Sequence, residues 1–248
     1  MAVVVFCNQK GGVGKTTSVI SLAAVAADLC TERDGKKVVV IDMDHSVNLT
    51  DYFLEDVSIE KIEKRNVFQI FSGEKSAEEC VYKTANPRID CIPATPDLVK
   101  AGFEFSNKPM AIMRFVKEIR SLPYAHVFID TPGALLYEVT AALMAADIVV
   151  IPFNLNRWAM RGIKAIEDAA KEAIDQTNRA TKIWTLPCMN TPAKQEGIES
   201  LKLKNRTITI IPKNAKIEDS INDGVSNPLQ PKTAAYKAFL ALAKELNL

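Results

Sequence analysis

The sequence predicts an α/β protein: a doubly wound, mostly parallel sheet with helices on both faces. Three observations carry this expectation. Apolar, β-branched runs recur along the chain with helical patterns between them. Most of these runs are nearly continuous in apolar character, as strands covered on both faces are. The first run, Val3-Val4-Val5-Phe6, leads into Asn8-Gln-Lys-Gly-Gly-Val-Gly-Lys-Thr-Thr17, a glycine-rich loop that opens an alanine-rich helix.

The elements follow in order. Strand 2–7 precedes helix 16–32, whose Ile20, Leu22, Ala23, Ala24, Val25, Ala26, Ala27 and Leu29 make it apolar nearly all round. Such a helix is buried between a sheet and its neighbours. Strand 38–42 precedes helix 48–55, and the charged, short-patterned residues 55–87 read as a helical excursion over the sheet. Strand 88–92 leads to helix 96–120, strand 126–130 to helix 135–145, and strand 147–152 to helix 157–176. Strand 182–187 leads to helix 195–203, and strand 207–211 to helices 216–223 and 231–247. The last helix carries Ala234, Ala235, Ala238, Phe239, Leu240, Leu242 and Ala243 but only Lys232, Lys237 and Lys244 as basic residues. That favours docking on the core over lying on a membrane surface, which takes a dense basic face. No repeat, low-complexity tract or Pro/Gly/Ser-rich linker divides the chain, so residues 1–248 read as a single domain.

Composition narrows the classes. Hydrophobic content of 48% and charged content of 25% are those of an ordinary globular protein. The cysteines, at 7, 30, 80, 91 and 188, are odd in number, scattered and nowhere spaced C-x-x-C. That points to a reducing compartment and against a disulfide frame or zinc site. The N-terminus lacks a charged leader region, and no apolar segment approaches the ~18 residues of a membrane span. Net charge is +1, but residues 150–248 hold 15 Lys and Arg against 10 Asp and Glu. This mildly basic part, with Arg179, Lys182, Lys202, Lys204, Arg206, Lys213 and Lys216, hints at a polyanion partner.

The chemistry begins in the loop. Gly11, Gly12 and Gly14, with Val13 between them, let successive backbone N–H groups turn inward to cradle a polyphosphate at a helix N-terminus. Lys15 reaches the outer phosphates, the Thr16 hydroxyl takes one Mg²⁺ position, and Thr17 continues the cradle. The usual pattern wants Gly six residues before the lysine, where this chain has Gln9. A second lysine, Lys10, stands at the loop entrance and reads as pointing away, toward phosphate on another subunit. Strand 38–42 ends in Asp42-Met43-Asp44, where α/β sheets place ligands. One of these carboxylates is expected to support the Mg²⁺ shell and the other to position water.

Val127-Phe128-Ile129-Asp130-Thr131-Pro132-Gly133 is an apolar strand ending in a second Mg²⁺-holding carboxylate, Asp130. It resembles the switch of translational GTPases, yet no Asn-Lys-x-Asp follows, so adenine is favoured over guanine. The base pocket is expected from Cys188-Met189-Asn190 and Ile210-Ile211-Pro212-Lys213. There the Asn190 amide would offer both a donor and an acceptor to the adenine edge, and Pro212 would pack on the ring. Trp158 and Trp184 read as core or interface, and His45 and His126 as structural.

With these motifs in order the chain resembles the ParA/Soj branch of the deviant Walker-A ATPases, relatives of MinD. The resemblance spans essentially the whole chain. It rests on Lys10-Gly-Gly-Val-Gly-Lys-Thr16, Asp42-Met-Asp44 with Asn48-Leu-Thr50, Asp130-Thr-Pro, Ala146-Asp147-Ile-Val-Val-Ile-Pro152, Ile211-Pro212 and Pro231…Ala235-Tyr236. It implies a homodimer formed around two ATP molecules with Mg²⁺, and Lys10 of each subunit touching the other's phosphates. By the same carry-over Asp44 positions the attacking water, Asp42 and Asp130 lie in the Mg²⁺ neighbourhood, and Asn190 and Pro212 line the adenine.

The resemblance further implies non-specific binding to double-stranded DNA, and hydrolysis stimulated by a ParB-type centromere-binding protein. The implied setting is cytoplasmic and nucleoid-associated. A MinD-like membrane-positioning ATPase is the alternative, and Glu245-Leu-Asn-Leu248 does not look like its basic amphipathic tail. The chain departs from the family's Asp-x-Asp-Pro-Gln-Gly-Asn: His45-Ser46-Val47 stand where Pro-Gln-Gly is usual, and Gly133 replaces a second Pro.

Overall fold

The computed structural model describes residues 1–156, 159–189, 191–201, 203–222, 229 and 233–248. Seven strands form one sheet: β1 (Ala2–Phe6), β2 (Val38–Asp42), β3 (Tyr82–Lys83), β4 (Ile89–Ile92), β5 (His126–Asp130), β6 (Ile148–Phe153) and β7 (Lys182–Pro187). Their spatial order is β3-β4-β2-β5-β1-β6-β7, and every pair is parallel except β3 with β4. The chain moves outward from β1 to β2 and β4, then returns through β5 and continues on the other side with β6 and β7. β1 therefore lies at the reversal, where doubly wound sheets open a crevice at their strands' carboxyl ends.

Alternation along each strand feeds two cores. Val3, Val5, Val39, Ile41, Val127 and Ile129 face one side with α4 (Val67–Ser72), α5 (Ala101–Phe105), α6 (Pro109–Ser121), α7 (Tyr137–Ala145) and α8 (Ala159–Thr177). Val4, Phe6, Val38, Val40 and Phe128 face the other with α1 (Lys15–Asp34), α2 (Asn48–Leu54) and α11 (Ala234–Leu246). α1 is buried nearly all round, and α11 packs against it through Ala235, Phe239, Leu242, Ala243 and Leu246. On the first face Phe71 stacks on Phe115 with ring centroids 4.7 Å apart.

Three expectations are corrected. Helix 96–120 is broken into a 3₁₀ turn at Pro96–Lys100, α5 and α6. Pro109 lacks an N–H and restrains Lys108, whose ψ of 76° lies outside the helical region, so a new helix starts there. Residues 55–87 hold α3 (Ile59–Lys64) and α4 but also β3, an antiparallel edge strand of two residues. Segment 207–211 is no strand. Only isolated bonds tie this stretch to β7, among them Thr207 N to Thr185 O and Ile211 N to Pro187 O. The intervening amides of Ile208 and Thr209 donate instead to the Glu245 carboxylate on α11 (2.6 and 3.0 Å), which takes them out of any ladder.

The remaining helices, α9 (Pro192–Ser200) and α10 (Ala215–Asn222), fall within a few residues of expectation. Among the described residues no helix is long and apolar enough to cross a membrane.

Phe115→Ala removes a fully buried ring from the aromatic stack. A stability loss of about 3–5 kcal/mol is expected in urea unfolding.

Candidate functional site: a phosphate cradle beside two buried carboxylates

The sheet register builds the site. Phe6 pairs with Asp130, and Asp130 pairs with Asp42, so the ends of β1, β5 and β2 stand in one row. The glycine-rich loop leaves β1 directly above that row. Gly12 and Gly14 have φ of 67° and 90°, a region open to glycine and costly for other residues. Asn8, buried at the loop entrance, fastens it: its Nδ2 donates to Pro152 O at 2.7 Å, and its Oδ1 accepts from Lys10 N at 3.1 Å. α8 presses on this clamp, since a Cβ on Gly162 would lie 3.0 Å from Asn8 Oδ1. Across the loop, Asn154 Nδ2 donates to Gly12 O at 3.3 Å.

Lys15 is buried, and its Nζ curls back to donate to Lys10 O at 3.3 Å. The Lys10 side chain is exposed at the loop's rim. The Thr16 hydroxyl donates to Asp130 Oδ2 at 2.5 Å, while Asp130 Oδ1 accepts from Thr131 N. Thr131 in turn donates its hydroxyl to Phe6 O, locking the β5 switch to β1. Gly133 lies over the cradle, where an added Cβ would sit 3.7 Å from Gly11 N and 3.9 Å from Lys15 Nζ.

Asp42 is fully buried with both oxygens engaged: Oδ1 accepts from Asp44 N (2.9 Å), and Oδ2 from Thr50 N (2.9 Å) and Thr50 Oγ1 (2.8 Å). It thus anchors both Asp44 and α2. Asp44 caps a tight turn, its Oδ1 accepting from Ser46 N and its carbonyl from Val47 N. Val47 closes the turn at φ 54°, ψ 19°. This left-handed conformation costs an L-residue about 1–2 kcal/mol and suits the glycine that the family motif carries there.

The electrostatics follow from crowding acids in a dry place. Burial, against the pull of the bonds it accepts, leaves Asp42 raised to about 6. Burial and then the charge of Asp42 push Asp130 to about 8, against the pull of Thr16 and Lys15. A cation bound here would relieve that mutual repulsion. Among the described residues no cluster of three or more His, Cys, Asp or Glu could hold a metal alone. That donor set fits Mg²⁺, which takes few protein oxygens and completes its shell from phosphate and water.

Two late segments meet beside the loop. A cavity of about 30 Å³ is lined by Gly14, Thr17, Ser18, Cys188, Met189 and Pro212, among others, so the 188–189 and 211–212 segments converge beside the loop. In this conformation it has room for about one water, not a purine. Met189 crowds it, with its Cε 3.9 Å from the Cβ position of Gly14. Asn190 and Trp158 lie outside the described residues. Asn8, Asn154, Thr131 and the bracing hydroxyl of Thr50 were not singled out from sequence. A short polar side chain gives no sign of its partner 44 to 144 positions away.

An AAA-domain family model matches residues 1–183. The sporulation initiation inhibitor protein Soj of Bacillus subtilis is 30% identical over 258 residues, covering 98% of this chain and 97% of Soj. The chain belongs to the ParA/Soj family. The chromosome partitioning protein ParA of Caulobacter vibrioides is 26% identical, covering 99% of this chain and 94% of that one. Among solved structures, a putative plasmid partition protein of Borrelia burgdorferi, bound to AMPPNP, superposes with a TM-score of 0.83 at 22% identity. That match covers 99% of this chain and 98% of the other. It shows the same ParA fold.

The raised carboxyls set a pH dependence for the nucleotide- and metal-free chain. Both groups hold protons more tightly folded than unfolded, so their stabilising contribution is complete below about pH 4 and is lost as pH rises through about 6 and about 8. The urea midpoint should fall over that window, and Asp130→Asn should flatten the fall.

Proposed function

We propose that residues 1–248 act as one domain, a DNA-partitioning ATPase that cycles between ATP-bound and free states. The observation that carries this is the Thr16–Asp130 bond beneath a glycine cradle, with Lys15 folded into the loop and Lys10 exposed at its rim. Gly11 through Thr17 hold the triphosphate, with Lys15 answering the charge of its outer phosphates. Thr16, with Asp42 and Asp130 around it, holds Mg²⁺, which when bound neutralises charge on the phosphate oxygens. Asp44, fastened through its amide to Asp42, orients the attacking water. Asn190 and Pro212 line the adenine once the small cavity opens.

Dimerisation around the nucleotide is supported by large apolar side chains left in solvent, among them Leu135 and Leu136, which follow closely on the Gly133 that lies over the cradle. Phe103 is 91% exposed, and Val99, Leu135 and Leu136 are also exposed. Gly102 lies against Tyr137, which brings α5 beside the start of α7. Solvated side chains of this size, gathered together, mark a contact surface. Lys10 of each subunit then meets the other's phosphates. The basic C-terminal part, with Lys204 and Lys213 exposed, suits non-specific double-stranded DNA, and a ParB-type partner stimulates slow hydrolysis. A nucleoid-associated location follows from the DNA binding. α11 buries its apolar side against α1, which removes the surface a MinD-like membrane helix would use.

Lys15→Ala is expected to abolish most ATP binding in titration calorimetry. Asp44→Ala should keep ATP bound while slowing phosphate release by roughly 10²-fold or more. Unchanged affinity in the first, or unchanged turnover in the second, contradicts these roles.

Retention on arbitrary duplex DNA should require ATP and weaken steeply as salt rises. Equal retention with and without nucleotide counts against the partition reading.

A further inference from the structure

One side chain closes the small cavity beside the glycine-rich loop. Just past β7 the backbone of Met189 takes φ 52°, a left-handed conformation that few L-residues adopt. From there its thioether spans the gap to the loop. Met189 Cε lies 3.9 Å from the Cβ position of Gly14, and Met189 Sδ accepts from Asn154 Nδ2 at 3.4 Å. Met189, Gly14 and Pro212 are among the residues that leave only about 30 Å³ between them. Ile211, Ile217 and Phe239 add apolar lining, which suits a ring and does nothing for a phosphate.

Asn154 joins this side chain to the phosphate cradle. It follows directly on β6, and its amide nitrogen serves two acceptors, Gly12 O at 3.3 Å and Met189 Sδ. Its own Oδ1 is buried and accepts no hydrogen bond. A thioether is a weak acceptor at the end of a flexible, unbranched chain, so the hold on Met189 is easily exchanged. The left-handed backbone and the unsatisfied Oδ1 add cost to the closed arrangement. It is formed, yet poorly secured.

We propose that Met189 is a plug in the base site: in the nucleotide-free chain its thioether stands where the adenine goes, and the entering base must turn it out. The inference rests on placing the adenine beside Pro212, as in the functional reading above. Turning Met189 out takes one of two acceptors from Asn154 and leaves it the Gly12 carbonyl. Arrival of the base is thereby felt at the loop that holds the phosphates. The plug lowers affinity for any ligand that carries the base and leaves a ligand of phosphates alone unaffected, because only the first needs the open arrangement. It competes with the adenine of ADP in the same way and so favours product release. Met189 is not a catalytic residue, since it faces the base and not the reacting phosphate.

The test titrates ATP, ADP and tripolyphosphate, each with Mg²⁺, into the full chain, Met189→Ala and Met189→Leu, with melting temperatures to confirm folding. Met189→Ala empties the plug, so ATP and ADP should each bind about fivefold tighter while tripolyphosphate stays within twofold of wild type. Met189→Leu refills the space and should return ATP affinity to within twofold of wild type. A second readout uses the wild-type chain itself. The methyl resonance of Met189, identified as the one missing from Met189→Leu, should shift with ATP and stay in place with tripolyphosphate. Four outcomes overturn the plug alone: ATP affinity unchanged or weakened in Met189→Ala, equal tightening of tripolyphosphate, tightening in Met189→Leu equal to that in Met189→Ala, or a methyl resonance indifferent to ATP. A wild-type chain that binds neither ATP nor tripolyphosphate overturns the cradle and the functional reading with it.

Discussion

The whole site depends on two aspartates forced side by side in a dry row. Backbone register places Asp42 next to Asp130, and neither can retreat because each ends a strand buried in the middle of the sheet. Isolated, two such carboxylates would be prohibitive. The chain answers with hydroxyls and amides: Thr16 and Thr131 N for Asp130, Thr50 and Asp44 N for Asp42. Those same bonds set the start of α1, the start of α2 and the direction of the Asp44 turn. What satisfies the acids also shapes the cradle, so electrostatic need and architecture share one solution.

Much of this was legible in the sequence. Nearly continuous apolar runs marked β1, β2, β5 and β6, which are buried almost along their length, because strands covered on both faces carry no polar alternation. The cradle was legible because a run such as Gly11-Gly12-Val13-Gly14-Lys15-Thr16 has few other physical uses. What stayed hidden depends on partners remote in the chain. Segment 207–211 has strand-like composition, but Glu245 takes two of its amides, and nothing near Ile208 announces that. The break at Lys108 was signalled by Pro109 and overridden by the apolar pattern around it.

The turn from Asp44 to Val47 shows how a family motif can be rewritten without losing its path. Val47 keeps a backbone conformation better suited to glycine, held by Val47 N to Asp44 O on one side and Asp51 N to Val47 O on the other. Surroundings that over-determine a strained residue are the condition under which such strain persists. Here they are the Asp42–Thr50 clasp and the first turn of α2.

The margins of the sheet bear on how copies of this protein can assemble. β3 is only two residues long, and its Lys83 reaches across to Asp90 at 2.7 Å. At the opposite margin the chain beyond β7 has surrendered its Ile208 and Thr209 amides to Glu245. Among the described residues neither flank presents the run of open main-chain donors that edgewise strand addition needs. Copies of this subunit that assemble must therefore be joined through helices and loops rather than by a continuous sheet.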